Sequence, residues 1–282
     1  MVSRVVMAVA DDPLIGLGYA APSSERPFVR LGDGARSQAS VSIAEEVPIA
    51  LIYNGRSHVV VMGTPADLED LAVGFTRTEG IVAHASHVER IDVVRASHGI
   101  ELQIQIPAAN AERLEGRARS LASRTGCGLC GVETIDEALR VPVRVGSNLV
   151  VERAALWAAA AELSRLQTLN NETNAVHAAA WATANGALGV LREDVGRHNA
   201  LDKVLGALGR QTMSPDEGFI VVTSRASYEM VQKAASCGVE LLAAISRPTG
   251  LAIRFADAAG LTLVGLVRGS TANVYSRPER LT

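Results

Sequence analysis

From Val41 onward, short apolar runs alternate with stretches of helical spacing. Pro48 to Tyr53 predicts a strand, Asn54-Gly55 supplies two residues that tolerate positive φ and suit a tight hairpin, and His58 to Met62 predicts the returning strand. Thr64-Pro65-Ala66-Asp67 predicts a helix start, with Thr64 as cap, Pro65 in the first turn and Asp67 completing a capping pair. Leu68, Leu71, Ala72 and Phe75 then recur on one helical face, and Gly80 is placed to end the helix in the left-handed conformation. With strands at 88–95 and 100–106, this makes a small α+β domain over residues 41–115. Residues 1–40 are rich in Gly, Ser, Pro and charge without sustained periodicity, and read as a mobile leader.

The remaining chain, 116–282, reads as an α/β domain. A strand near 142–150 precedes an Ala-rich helix over 152–167 and a second helix near 174–184. Strands at Leu188–Leu191, Phe219–Thr223, Leu241–Ile245 and Leu261–Val267 then alternate with helices at 197–209, 227–237 and 249–259. This alternation implies a sheet covered on both faces, with right-handed crossovers between parallel neighbours. Such sheets bind ligands beyond the C-terminal ends of their strands. Polar pairs fall at those ends: Glu193-Asp194, Ser224-Arg225 and Ser246-Arg247.

Composition narrows the class. The 282 residues are 48% hydrophobic but only 4% aromatic, so the core rests on Val, Leu, Ile and Ala. A formal net charge of -3 excludes a general nucleic-acid binder, which needs basic excess to displace counterions. No stretch reaches the roughly 18 apolar residues of a membrane helix. The apolar start Val5 to Ala10 is stopped by Asp11-Asp12, too short for a secretory core. The three cysteines, an odd and low count, fit a reducing cytoplasmic setting rather than a disulfide framework.

Cys127 and Cys130 lie in Thr125-Gly126-Cys127-Gly128-Leu129-Cys130-Gly131, a loop with three glycines that lets the backbone approach a ligand and flex. A Cys-x-x-Cys pair can hold half a zinc site, cycle between dithiol and disulfide, or carry a persulfide on one thiol with the second nearby to assist or resolve. Arg117, Arg119 and Arg124 supply positive charge upstream that favours the thiolate. A four-cysteine zinc site is excluded, since no second pair exists. His87-Val88-Glu89 followed by Cys127-x-x-Cys130 follows the order of zinc-dependent nucleoside deaminases, but no Pro precedes Cys127. Cys237, between Ala235 and Gly238, reads as a packed side chain.

The densest polar segment runs from Glu193 to Lys203. His198 and Asp202 are four residues apart on one helical side, a spacing from which the carboxylate can orient the imidazole. His177 is a second candidate among alanines. Arg225, Arg247 and Arg268 sit at or just past strand ends, where guanidinium forks pair with phosphate oxygens, so a diphosphate-containing ligand is a natural guest.

From about Glu45 to Arg280 the sequence resembles the formate dehydrogenase accessory protein family of FdhD/NarQ type. The resemblance is carried by Thr64-Pro65 with Asp70-Leu71-Ala72-Val73-Gly74-Phe75 and Glu79-Gly80-Ile81; by Cys127-Gly128-Leu129-Cys130-Gly131; by Glu193 to Lys203; by Ser224-Arg225; and by Asn273-Val274-Tyr275. It implies a cytidine-deaminase-like α-β-α layered C-terminal domain. It also implies a sulfurtransferase that accepts sulfur from a cysteine desulfurase as a Cys127 persulfide. The sulfur would pass to a bound substrate, the Mo-bis(molybdopterin guanine dinucleotide) cofactor of formate dehydrogenase, with no permanently bound metal. Cys130 is the second cysteine of the pair. Substrate contacts map onto Leu266, Val267, Arg268, Gly269, Ser270 and Thr271, alongside His177, Arg197, His198, Ser224 and Arg225. The implied partners are the desulfurase, the formate dehydrogenase catalytic subunit and a second copy of the chain. Gly126 stands where the family commonly has Ser, and Asn174-Ala175 where it often has Gly-Gly. The rival readings are a cofactor-binding chaperone without sulfur chemistry and, further off, a zinc-dependent deaminase.

Overall fold

The computed structural model describes residues 12, 14–32, 35–118, 139 and 141–282. After a 3-10 turn at Leu17–Tyr19 comes a two-stranded antiparallel ribbon, β1 (Ser23–Gly32) with β2 (Ala35–Ala44). This corrects the reading of residues 1–40 as a leader without regular structure. Val29, Leu31, Val41 and Ile43 are all exposed, so no burial pattern marked the ribbon in the sequence. Its base is tied down by Glu172, which accepts from the Ser23 and Ser42 hydroxyls, and by Arg26, 3.0 Å from Glu45.

The small unit follows the expected plan. β3 (Val47–Tyr53) and β4 (Arg56–Gly63) form a hairpin whose turn residues Asn54 and Gly55 have φ of 49° and 80°. β5 (Arg90–Ala96) and β6 (Gly99–Gln105) complete a sheet of order β4-β3-β6-β5. Along β3 every second residue is buried, and Val47, Ile49, Leu51 and Tyr53 pack with Ile100, Leu102 and Ile104 against Leu68, Leu71 and Ala72 of α1 (Leu68–Thr78). Gly80 has φ of 67°, as its position after the helix required. The expected cap is not formed. Asp67, at φ 52°, precedes the helix without a side-chain cap bond. Thr64 is drawn into the larger unit instead: its N–H donates to Asp194 Oδ2 (3.1 Å), its hydroxyl accepts from Val195 N–H (3.1 Å), and its carbonyl accepts from Lys203 Nζ (3.1 Å).

After α2 (Ala108–Ala118) the described chain resumes with α3 (Arg153–Leu166), α4 (Thr168–Thr173) and the strands β7 (His177–Thr183) and β8 (Leu188–Asp194). Then come α5 (Arg197–Arg210), β9 (Gly218–Val222), α6 (Tyr228–Ser236), β10 (Leu241–Ala244), α7 (Gly250–Ala259), β11 (Thr262–Arg268) and β12 (Thr271–Ser276). The six strands lie in the order β12-β11-β10-β9-β7-β8, with β9, β10 and β11 mutually parallel. Alternate residues serve opposite faces. Ala178, Ala180, Phe219, Val221, Leu241 and Ala243 meet Leu156, Ala159 and Leu163 of α3. Ala179, Trp181, Ile220, Val222, Leu242 and Ala244 meet the apolar sides of α5, α6 and α7. The sheet is therefore sandwiched between helical layers.

Two expected elements give way here. The segment 174–184, expected as a helix, is mostly the strand β7: its alanines favour a helix intrinsically, but a strand between two helical layers has both faces buried and accepts small residues on each. No strand forms at 142–150; Val151 makes only an isolated bridge with Leu281. β12, absent from the expectation, is largely exposed and so lacked an apolar pattern.

The two units meet where α1 crosses α5. A Cβ on Gly74 would stand 1.7 Å from the Asp202 carbonyl oxygen, and one on Gly206 1.9 Å from that of Asp70, so the backbones touch through glycine. Buried charges close the seam. Lys203, fully buried, donates to Asp194 Oδ2 at 2.6 Å. Lys233 lies 2.9 Å from Asp202 Oδ2 and 2.8 Å from Glu79 Oε1. Asp70 takes Arg192 on one oxygen and Arg210 on the other.

Candidate functional site

Because β9, β10 and β11 run parallel, the loops that follow them gather at one end of the sheet. Backbone hydrogen bonds lace them together: Thr249 N–H donates to Ala226 O at 3.0 Å, and Leu266 N–H to Ser246 O at 3.2 Å. Antiparallel β7 brings its first residue to the same end. Ala178 N–H donates to Thr223 Oγ1, and His177 is register partner to Asp194. The turn from β8 into α5 therefore opens beside the loop from β9 into α6.

Most of the residues singled out from the sequence converge on this mouth. His177 is half-buried at the start of β7. Burial, reinforced by the Arg197 guanidinium, pushes its imidazole below the usual histidine value, although Asp194 pulls the other way. Arg197 and His198 form the first turn of α5. Ser224 is buried and its hydroxyl turns to the Arg225 carbonyl at 3.1 Å, while Arg225, Arg247 and Arg268 are exposed. Leu266 takes a left-handed φ of 55° at an irregularity in the β11–β12 pairing. Beyond it, Val267 is buried, Arg268, Gly269, Ser270 and Thr271 are exposed, and the Thr271 hydroxyl closes the turn onto the Arg268 carbonyl. A rim with three exposed guanidiniums suits an anionic, phosphate-bearing ligand.

One expected pairing is corrected. Asp202 does not orient His198. It is buried at the α1–α5 seam, where it accepts from Thr78 Oγ1 (2.8 Å) and Lys233 Nζ (2.9 Å). Burial raises its carboxyl above the ordinary value against the pull of Lys233. His198 Nε2 instead lies 2.8 Å from Glu229 Oε2 on α6, close in distance but off the line of a well-directed hydrogen bond. Four-residue spacing shows which side chains share a helical side, not which neighbouring element supplies the partner. Glu229 left only one sequence signal, an acid in the first turn of a helix directly after Ser224-Arg225.

Cys127 and Cys130 lie outside the described residues. Cys237 is buried at the end of α6, and burial pushes its thiol up. His87 and Glu89 are exposed in the short stretch leading into β5, within the small unit. No group of three or more His, Cys, Asp or Glu side chains among the described residues is arranged to hold a metal ion. No helix among them is long and apolar enough to cross a membrane.

The family model described as "FdhD/NarQ family" matches residues 44–282. The chain belongs to the FdhD/NarQ family. It is 50% identical over 248 residues to a protein named sulfur carrier protein FdhD from Bordetella petrii, covering 88% of this chain and 89% of the relative. To the protein of the same name from Xanthomonas euvesicatoria it is 51% identical over 262 residues, 92% of this chain and 93% of the other. Its fold is similar to the crystal structure of a formate dehydrogenase accessory protein from Desulfotalea psychrophila, with a TM-score of 0.73 and 26% identity over 92% of this chain and 99% of that one. Within this FdhD/NarQ chain, the Glu193–Lys203 motif divides in two. Its first helical turn faces the mouth, while Asp202 and Lys203 fasten the two units together.

Proposed function

We propose that this chain carries sulfur for formate dehydrogenase maturation, accepting it on Cys127 and delivering it to a molybdenum cofactor bound as substrate. The observation that carries the reading is the half-identity, along most of the chain, to proteins named sulfur carriers. A sulfur carrier needs an accessible thiolate. Of the three cysteines, Cys237 is unsuited because it is buried and burial disfavours its thiolate. That leaves the glycine-flanked pair.

Cys127 thiolate attacks the outer sulfur of a persulfide on a cysteine desulfurase. A sulfur–sulfur bond forms at Cys127, the donor's bond breaks, and the donor cysteine leaves as thiolate. Gly126, Gly128 and Gly131 let the loop meet donor and acceptor in turn. The bis(molybdopterin guanine dinucleotide) substrate suits the mouth of the larger sheet, its diphosphates near Arg225, Arg247 and Arg268 and the 266–271 turn. His177, Arg197, His198 and Ser224 complete the wall. For delivery the Cys130 thiolate would attack the inner sulfur at Cys127, closing a Cys127–Cys130 disulfide, while the sulfur–sulfur bond to the outer atom breaks and that atom leaves at the sulfide level for the molybdenum of the bound substrate. The setting is the cytoplasm, and the partners are the desulfurase, the dehydrogenase catalytic subunit and a second copy of the chain.

The test is formate dehydrogenase activity in cells whose only copy carries Cys127→Ala. The reading requires loss of that activity with the variant still folded and abundant. Full activity would refute it and favour a chaperone that binds the cofactor without touching sulfur.

A further inference from the structure

We propose that Glu229 is a positioning residue for substrate delivery, holding the His198 imidazole at the mouth so that it meets the anionic substrate. The inference rests on the sulfur-carrier reading above and adds to it a residue that the sequence motif does not contain.

The other buried carboxylates of this chain serve as structural ties. Asp194 is saturated by Thr64 N–H, Gly196 N–H, Asn199 Nδ2 and Lys203 Nζ. Asp202 is held by Thr78 and Lys233. Glu240 accepts from Leu149 N–H and Arg280 Nε. Each of these fastens one segment of backbone or one buried cation to another. Glu229 is different: its Oε2 faces His198 at 2.8 Å, and its Oε1 has no hydrogen-bond partner among the described residues. Both side chains are mostly covered, with relative exposures of 15% for Glu229 and 22% for His198. A carboxylate so far out of water and turned to a single imidazole does little as a structural tie.

The placement fits an orienting role. His198 and Glu229 each sit in the first turn of a helix, α5 and α6, and both helices start at the ligand end of the sheet. A helix N-terminus favours a carboxylate and disfavours a cationic imidazole. Glu229 on α6 is 2.8 Å from the His198 imidazole, His177 on β7 is close enough to feel its charge, and Arg197 precedes it on α5. Asp194 is engaged by Lys203, so Glu229 is the carboxylate that faces the ring. Ser227 Oγ and Arg197 Nε, in the same two helix starts, are likewise buried without partners among the described residues, which marks this wall as built to meet something other than itself.

The experiment compares wild type, Glu229→Gln, His198→Gln and the double variant in two assays. Loading is read as sulfur mass gained from a cysteine desulfurase and cysteine, and delivery as formate dehydrogenase activity produced per loaded chain. Removing the partner that orients a metal-ligating histidine typically costs about tenfold or more, and a histidine that meets a substrate's anion is expected to respond on a similar scale. Glu229→Gln is expected to load normally and deliver about tenfold less, His198→Gln to do the same, and the double variant to be no worse than His198→Gln. Normal delivery by Glu229→Gln, or losses that multiply in the double variant, overturns the inference. Failure of wild type to gain sulfur would instead overturn the sulfur-carrier reading.

Discussion

Lys203 carries its ammonium into a space with no solvent contact, within 2.6 Å of Asp194 and 3.1 Å of the Thr64 carbonyl. Removing one member of such a pair leaves a buried charge uncompensated, at a typical cost of 3–5 kcal/mol. Lys203→Met is therefore expected to lose about 3 kcal/mol or more of unfolding free energy in a urea titration. A near-neutral result would mean that water reaches Asp194. Lys233 behaves alike: burial works against its charge, but the Asp202 and Glu79 carboxylates outweigh it and hold the ammonium above the ordinary lysine range. His177 adds a pH dependence of definite sign. Its folded pKa lies below the ordinary 6.5, so the unfolded chain binds the proton more readily. The stability this residue contributes is whole above that value and is lost as pH falls through the folded pKa. The urea midpoint should drop as pH is lowered past about 6.5, and His177→Gln should flatten that part of the profile.

At the scale of elements, the decisive contact is the crossing of α1 over α5. With 1.7 Å and 1.9 Å available to an added Cβ, neither Gly74 nor Gly206 can take a side chain unless the helices separate. Gly74→Ala should cost about 1–3 kcal/mol, read from the same titration, and should also loosen the Asp202–Lys233 pair. Unchanged stability would contradict the close crossing. Most elements were legible because their apolar positions repeat at the period of the structure they form, as in β3 and α5. The failures share a cause. β7 is made of alanines whose burial is decided by layers above and below, which no local pattern records. The ribbon β1–β2 buries too little to have a pattern. The Thr64 cap was a sound local rule overruled by a partner in the other unit, Asp194. His198 illustrates the same limit at the site: the residue was legible, but its partner was not, because Glu229 reaches it across two helices.

Over the whole molecule, the larger sheet gathers residues separated by nearly a hundred positions at one end, from His177 to Thr271, and α1 fastens the small unit behind α5. That Arg225, Arg247 and Arg268 fall at strand ends was legible because polar residues closing apolar strands are a topological signal, independent of exact strand bounds. His87 and Glu89 belong to the small unit and are exposed, so Glu89→Gln should leave formate dehydrogenase maturation within about twofold of wild type, whereas a zinc deaminase would lose its proton shuttle. The central claim concerns one thiol, and intact-mass measurement after incubation with a cysteine desulfurase and cysteine tests it most directly. The account predicts a gain of one sulfur atom that disappears in Cys127→Ala; an equal gain in that variant, or none in wild type, would contradict it.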